Sequence, residues 1–323
     1  MPSSTPSGPP TTMPAISQDS FGGPEVLRAV ERPVPSPAPT EVLVRVHATS
    51  VNPVEAFIRS GAFPLIGQPP FVLGWDVSGV VAAVGPGSSR FRVGDEVYGM
   101  PYFPRPAGAY AEYLTAPSRS LVRKPAALDH VQAAALPLVG LTAWQGLVDY
   151  AAVGPGDRVL IHAAGGGVGH VAVQIAKARG AYVIGTASAD KREFVRSLGA
   201  DEVIDYRTTD FTAAVRDADV VYDLIGGDNA ERSFGVLRPG GTFLTAIDHG
   251  NAELRAAAEA RGLRFVGEAV EPDQVGLDAL SALVAAGRLR PHVSQTYALR
   301  DVAKAHEAVE SGSTRGKIVL TVV

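Results

Sequence analysis

Arg158-Val-Leu-Ile-His-Ala-Ala-Gly-Gly-Gly-Val-Gly-His170 decides how this chain is read. A short apolar strand enters the glycines, and an amphipathic helix leaves them, predicted from Val168 to about Arg179. Residues 164, 166 and 169 match the spacing GxGxxG, with Ala164 at the first position. Gly166 would let the backbone approach a pyrophosphate, and Gly169 would let the helix pack closely on the strand. The unbonded N–H groups of the first helical turn would then face the phosphates. Ala163, Gly165, Gly166, Gly167, Val168 and Gly169 are therefore the expected dinucleotide contacts. A tight turn without a ligand is the alternative.

The next strand, Ala181–Thr186, runs into Gly185-Thr-Ala-Ser-Ala-Asp-Lys-Arg192. NAD-selective sites place an acid at this strand end to hold the ribose 2′-hydroxyl. Here the strand ends in small residues, followed by Ser188, Lys191 and Arg192, and Asp190 lies past the turn. A hydroxyl and two cations suit a 2′-phosphate through charge-assisted hydrogen bonds. The expected cofactor is therefore NADPH; a solvated first turn of helix is the competing reading.

Outward from the glycines, strands and helices alternate. Helix is expected over 190–198, 253–261, 277–287 and 301–311, and strand over 201–205, 220–225, 241–247, 263–267 and 316–323. This alternation argues for a parallel, doubly wound α/β sheet. The last strand could rejoin the N-terminal part of the chain. That part reads as β-rich: Glu41–His47 alternates, Val77–Val84 is a second strand, a Gly-Asp turn divides two short strands in 91–97, and 109–114 is another. Gly- and Pro-rich turns join them, as in a small barrel or sandwich. Helical patterns look scarce before residue 128. Residues 128–150 read as helix interrupted near Pro137–Gly140.

Composition excludes several classes. With 29 basic and 33 acidic side chains the net charge is −4, which offers nothing to anchor a nucleic acid backbone. Cysteine is absent, so disulfides, cysteine-ligated iron–sulfur clusters and cysteine-ligated zinc are excluded, and redox chemistry needs a bound cofactor. None of the seven histidines has HExxH spacing. No apolar run is long enough for a membrane span, and residues 1–12 lack the pattern of a secretory signal; they read as a disordered tail, and cytoplasm is the expected location.

The whole chain resembles the medium-chain dehydrogenase/reductases, and more narrowly their zinc-independent quinone oxidoreductase branch. The resemblance runs through Ser50-Val-Asn-Pro53, Gly74-Trp-Asp-Val-Ser-Gly79, Val93-Gly-Asp-Glu-Val97, Gly108-Ala-Tyr-Ala-Glu-Tyr113, Leu136-Pro-Leu-Val-Gly-Leu-Thr-Ala-Trp144, the glycine turn, Leu198-Gly-Ala-Asp-Glu-Val-Ile-Asp-Tyr206 and Arg315-Gly-Lys-Ile-Val-Leu320. It implies a GroES-like catalytic domain over 13–133, completed by 273–323, and a Rossmann domain over 134–272, with the active site in the cleft between them and a homodimeric assembly. Zinc members of the family carry Gly-His-Glu where this chain has Gly74-Trp75-Asp76. The histidine ligand is replaced, so zinc-dependent alcohol oxidation is not expected.

Without zinc, the implied reaction is hydride transfer from NADPH to a small hydrophobic quinone or α,β-unsaturated carbonyl. The resemblance places Asn52 and Thr142 beside nicotinamide and substrate, with Phe57, Phe63 and Trp144 in the substrate pocket. It places Tyr206 by the adenosine 2′-phosphate, Ala246 and Ile247 near the nicotinamide, and Arg315 or Lys317 at the cofactor or cleft. Several relatives have tyrosines at Phe57 and Phe63, whose loss leaves an apolar wall and assigns proton delivery to solvent. Glu55 replaces the usual aspartate and is expected to be structural. Two alternatives stay open: an enoyl-thioester reductase, and a non-catalytic NADPH-binding structural or regulatory protein.

Overall fold

Six strands form one parallel sheet in the order Glu202–Asp205, Tyr182–Ala187, Arg158–Ile161, Ala218–Asp223, Leu237–Thr245, Arg264–Gly267. The computed structural model describes residues 8–323. Chain order reverses at Arg158–Ile161, which is the Rossmann arrangement, and ligands of such sheets bind outside the carboxyl ends of the strands at that point. The glycine turn leaves the sheet there. The helix that follows, Gly169–Ala178, is buried from Gly169 to Ala176 and packs on the strands Arg158–Ile161 and Tyr182–Ala187 and on the helix Pro137–Trp144.

The β-rich part is a separate seven-stranded sheet. Along it lie Val293–Ala298, Lys317–Thr321, Glu41–Val51, Val77–Val84, Glu96–Gly99 and Leu121–Arg123, with Tyr113–Pro117 also paired to Glu41–Val51. A three-stranded sheet holds Arg28–Pro33, Thr12–Gln18 and Phe71–Val72. The C-terminal strand does rejoin the N-terminal sheet, with Leu320 opposite Thr49. One apolar cluster runs from Ile58, Trp75 and Tyr110 in this part to Leu136, Val171 and Val183 beside the Rossmann sheet.

Several local expectations change. The segment after Asn52 is a helix, Pro53–Ser60. Its signals are present in the chain: Pro53 at the first helical position, Glu55 two residues on accepting from the Asn52 N–H at 2.7 Å, and Gly61 ending it at φ 84°. The interruption in 128–150 falls at Ala135–Leu136, and Pro137 starts the next helix, since its missing N–H costs nothing at that position. That helix runs on into a π-helical turn, Gln145–Tyr150.

In 91–97 only the second strand forms, beginning at Glu96. Residues 109–112 bend and divide their bonds: Ala109 and Tyr110 donate to Gly74 and Leu73, while Tyr110 accepts from Ile16. No regular ladder results, and the strand begins only at Tyr113. Of the expected tail, 1–7 lie outside the described residues, and Thr12 already pairs with Pro33 in a strand. Among the described residues no helix is long and apolar enough to cross a membrane.

Candidate active site

The glycine turn has two kinds of glycine. A Cβ at Gly169 would lie 2.2 Å from the Ala163 carbonyl oxygen and 2.8 Å from Ala164 Cα, so only glycine lets the helix approach the strand this closely. A Cβ at Gly167 would meet nothing closer than 3.6 Å. Packing therefore does not require glycine there, and the space in front of it is open. Ala163 takes a left-handed conformation, φ 48°, and accepts the Gly166 N–H at 2.8 Å. Among the described residues, the N–H groups of Gly165, Gly167 and Val168 have no protein acceptor. Three free donors around an open glycine fit a pyrophosphate.

His170 stiffens the turn. The His292 N–H donates to its Nε2 at 3.1 Å, so the proton sits on Nδ1, which donates to the Gly167 carbonyl at 2.7 Å. Burial pushes its pKa down to about 4, so the ring stays neutral at pH 7.

The predicted 2′-phosphate residues flank this turn. Ser188 is buried at the start of a short 3-10 turn, Ala189–Lys191. The Lys191 stem lies over Gly165, and its Nζ donates to the Thr314 carbonyl at 2.8 Å. Arg315 donates to the Asp190 carbonyl at 2.7 Å. Tyr206 is 54% exposed, its N–H bonds to the end of the strand at Ala187, and the Arg207 guanidinium lies over its ring at 5.7 Å. Ser188, Lys191, Tyr206 and Arg315 thus share one patch, to which the structure adds Arg207. Arg192 makes a 3.4 Å contact with the Val203 carbonyl.

The dipeptide Gly316-Lys317 joins this turn to Asn52. The Gly316 N–H donates to the Gly165 carbonyl at 3.0 Å, and the Lys317 stem passes Gly167. Lys317 is 2% exposed; its ammonium donates to the Val51 carbonyl at 3.0 Å and to Asn52 Oδ1, and lies 3.7 Å from Asp76 Oδ2. Burial draws the Lys317 pKa down, opposed by Asp76 and Glu55. Asn52 Nδ2 donates to Asp76 Oδ2 at 2.9 Å, and Ser50 Oγ donates to the same oxygen. Asp76 Oδ1 accepts the Leu138 N–H at 2.7 Å and so caps the helix that carries Thr142.

Behind Asn52, Glu55 is fully buried. Its Oε2 accepts from the Asn52 N–H and from Tyr110 Oη at 2.8 Å, while Oε1 has no partner. Burial raises its pKa to about 7. Tyr110 also meets His306, and Arg59 links His306 to Glu310.

The remaining predicted residues divide. Thr142 Oγ1 donates to the Leu138 carbonyl at 2.8 Å, within its own helix. Phe57 and Phe63 are exposed, as are Ile225 and Ile247 on the loops after two adjacent Rossmann strands. Asp223 and Thr245 pin those loops through the N–H groups of Ile225, Gly226 and Ile247, and Ala246 bonds back to Asp223. Trp144 does not join the cluster. Its indole edge lies by Gly276, two residues round the helix from Thr142 and off its face.

The donor set does not fit a catalytic zinc. Trp75 is buried with Nε1 donating to the Arg105 carbonyl at 2.7 Å, and among the described residues no three His, Cys, Asp or Glu come together as metal ligands. Sequence reasoning missed the hub, Asp76, whose hydrogen-bond partners lie 24 to 62 residues away along the chain. The only hint was an acid beside a buried-type tryptophan. It also gave His170 no role.

Known proteins match this architecture. The family model described as alcohol dehydrogenase GroES-like domain matches residues 38–126, and that described as zinc-binding dehydrogenase matches 198–320. A 2-haloacrylate reductase from a Burkholderia species is 39% identical over 324 residues, covering 93% of this chain and 96% of that protein. The quinone oxidoreductase of Coxiella burnetii superposes with a TM-score of 0.92 at 37% identity, covering 97% of this chain and all of that one. The Escherichia coli quinone oxidoreductase, solved in complex with NADPH, superposes at 0.86 with 32% identity, covering 96% of this chain and all of that one. With these relatives, the two-sheet architecture and the lost zinc ligands, the chain belongs to the medium-chain dehydrogenase/reductase family, in its zinc-independent quinone oxidoreductase-like branch.

Proposed function

We propose that this chain is an NADPH-dependent reductase that transfers hydride to a quinone or to the double bond of an α,β-unsaturated carbonyl. The observation that carries the reading is the continuity of the site: free N–H donors at Gly165, Gly167 and Val168 stand beside the cationic patch and are joined through Gly316-Lys317 to Asn52. The complex of the E. coli relative with NADPH supports the cofactor, and the 2-haloacrylate reductase supports an activated double bond as acceptor.

When bound, the dinucleotide supplies the hydride. The glycine turn holds its pyrophosphate, and Ser188, Lys191, Tyr206 and Arg315 hold its 2′-phosphate. One hydrogen of Asn52 Nδ2 goes to Asp76; the other has no acceptor among the described residues and donates to the acceptor's carbonyl oxygen as negative charge develops there. Phe57 and Phe63 line the acceptor with apolar surface and carry no proton donor, so the proton that completes the reduction comes from water. NADPH, acceptor and one proton thus yield NADP+ and the reduced acceptor.

Steady-state rates with NADPH and NADH, against a quinone, a simple enone, 2-chloroacrylate and an enoyl thioester, test this. KM for NADPH is expected at least about 10-fold below that for NADH. An NADH preference overturns the cofactor assignment. Turnover of the thioester alone selects an enoyl-thioester reductase, and tight NADPH binding with no turnover of any acceptor selects a non-catalytic role.

A further inference from the structure

We propose that Lys317 is a positioning residue that orients the Asn52 carboxamide and polarises it toward the reacting oxygen. This deepens the reading of Asn52 as the oxyanion donor and rests on it.

Donor and acceptor chemistry sets the orientation of the amide. An ammonium only donates, so the Asn52 atom facing Lys317 is Oδ1; a carboxylate only accepts, so the atom facing Asp76 is Nδ2. The two partners exclude the flipped amide. They also leave one Nδ2 hydrogen without an acceptor among the described residues. A cation hydrogen-bonded to an amide oxygen draws electron density through the C–N bond and strengthens the N–H groups as donors, and buried chains of such bonds reinforce one another. Charge on Lys317 is thereby felt at the substrate oxygen without contact.

Geometry separates this role from that of a phosphate ligand. The ammonium donates to Val51 O and Asn52 Oδ1, the Asp76 carboxylate lies 3.7 Å away as its counter-ion, and the side chain is 2% exposed. Only its stem passes the glycine turn. The charged end is buried against Asn52, Val51 and Asp76 rather than offered to a pyrophosphate.

The test compares Lys317→Met, Asn52→Ala and the double variant as full-length protein, with NADPH binding followed by fluorescence and kcat measured on an enone and on a quinone. Asn52→Ala is expected to lower kcat on the enone about 100-fold. Lys317→Met is expected to lower it about 10-fold, with the NADPH Kd changed less than about 3-fold, and the double variant is expected to be no slower than Asn52→Ala. The loss is expected to be smaller on the quinone, a more reactive acceptor that needs less help.

A weakened NADPH Kd with kcat retained would instead make Lys317 a cofactor ligand and overturn the proposal. So would multiplicative losses in the double variant, or an unchanged kcat in Lys317→Met while Asn52→Ala is slow. If Asn52→Ala itself keeps full kcat, the oxyanion reading fails first. Should Lys317→Met not fold, Lys317→Gln, which keeps an N–H donor without the charge, takes its place in the same comparison, and the same results support or overturn the proposal.

Discussion

The two halves of the site handle polar groups in opposite ways. At the glycine turn, N–H groups of Gly165, Gly167 and Val168 are left open. At Asn52, Asp76 and Lys317, nearly every polar atom is bonded inside the protein, and side chains from distant parts of the chain converge. In the proposed reading the first half recognises a ligand by what it leaves unsatisfied. The second creates a closely bonded, desolvated geometry by what it satisfies, and in the proposed reading its remaining Asn52 amide hydrogen serves the reacting oxygen. An open site tolerates loss of a contact as weaker binding; a closed one loses fold stability, because removing one partner strands the others.

That contrast breaks first at Asp76. Asp76→Ala would leave the Lys317 ammonium buried without its counter-ion and Ser50, Asn52 and the Leu138 N–H without their acceptor. A loss of about 3–5 kcal/mol is expected in urea unfolding. A loss below about 1 kcal/mol would mean that the cluster is not closed.

The glycines sharpen the comparison within the turn. Gly169→Ala puts a methyl against backbone at 2.2 Å and is expected to cost about 1–3 kcal/mol or more of stability. Gly167→Ala has room for the methyl and is expected to shift unfolding by less than about 0.5 kcal/mol while weakening NADPH binding. Equal effects on both properties at the two positions would erase the distinction between a packing glycine and a binding one.

Lys191→Ala tests the open half alone. Losing a charge-assisted bond of about 1.5 kcal/mol raises the KM for NADPH roughly 10-fold and leaves that for NADH unchanged. A parallel rise for both cofactors would move Lys191 from the 2′-phosphate to the pyrophosphate.

The smallest effect lies in pH. Burial raises Glu268 to about 8, where it accepts from Tyr222 Oη at 2.7 Å with Oε1 unpartnered, and raises Glu55 to about 7. Both carboxyls hold their proton in the folded state to a higher pH than in the unfolded chain. Their contribution to stability is therefore complete below about 4.5 and is lost as pH rises through 7 and 8. Unfolding followed from pH 5 to 8.5 is expected to show falling stability, and Glu268→Gln is expected to flatten the upper part of that slope. A slope unchanged in Glu268→Gln would place the titration elsewhere.

How much could be read from the chain follows the same division. The strands and helix around the glycines are set by local periodicity and by backbone needs within a dozen residues, so their order and the position of the turn were legible. The helix Pro53–Ser60 was written just as locally, in Asn52, Pro53, Glu55 and Gly61, but surrounding strand patterns concealed it. Which face of the buried helix Pro137–Trp144 meets which neighbour was not legible, because a run of apolar residues carries almost no polar marker. Asp76 was read only as the neighbour of a lost zinc ligand.

The amino-acid sequence alone determined the Rossmann unit, the absence of zinc ligands and the cationic, acid-poor end of the second strand. Each depends on residue chemistry or on bonds between near neighbours. Only the tertiary structure decided what surrounds Asn52. Lys317 lies 265 residues further along the chain, and it reaches Asn52 because the last strand pairs with Glu41–Val51. Burial then determines the chemistry: away from water a lysine, an aspartate and an amide must satisfy one another, and no sequence spacing records that requirement.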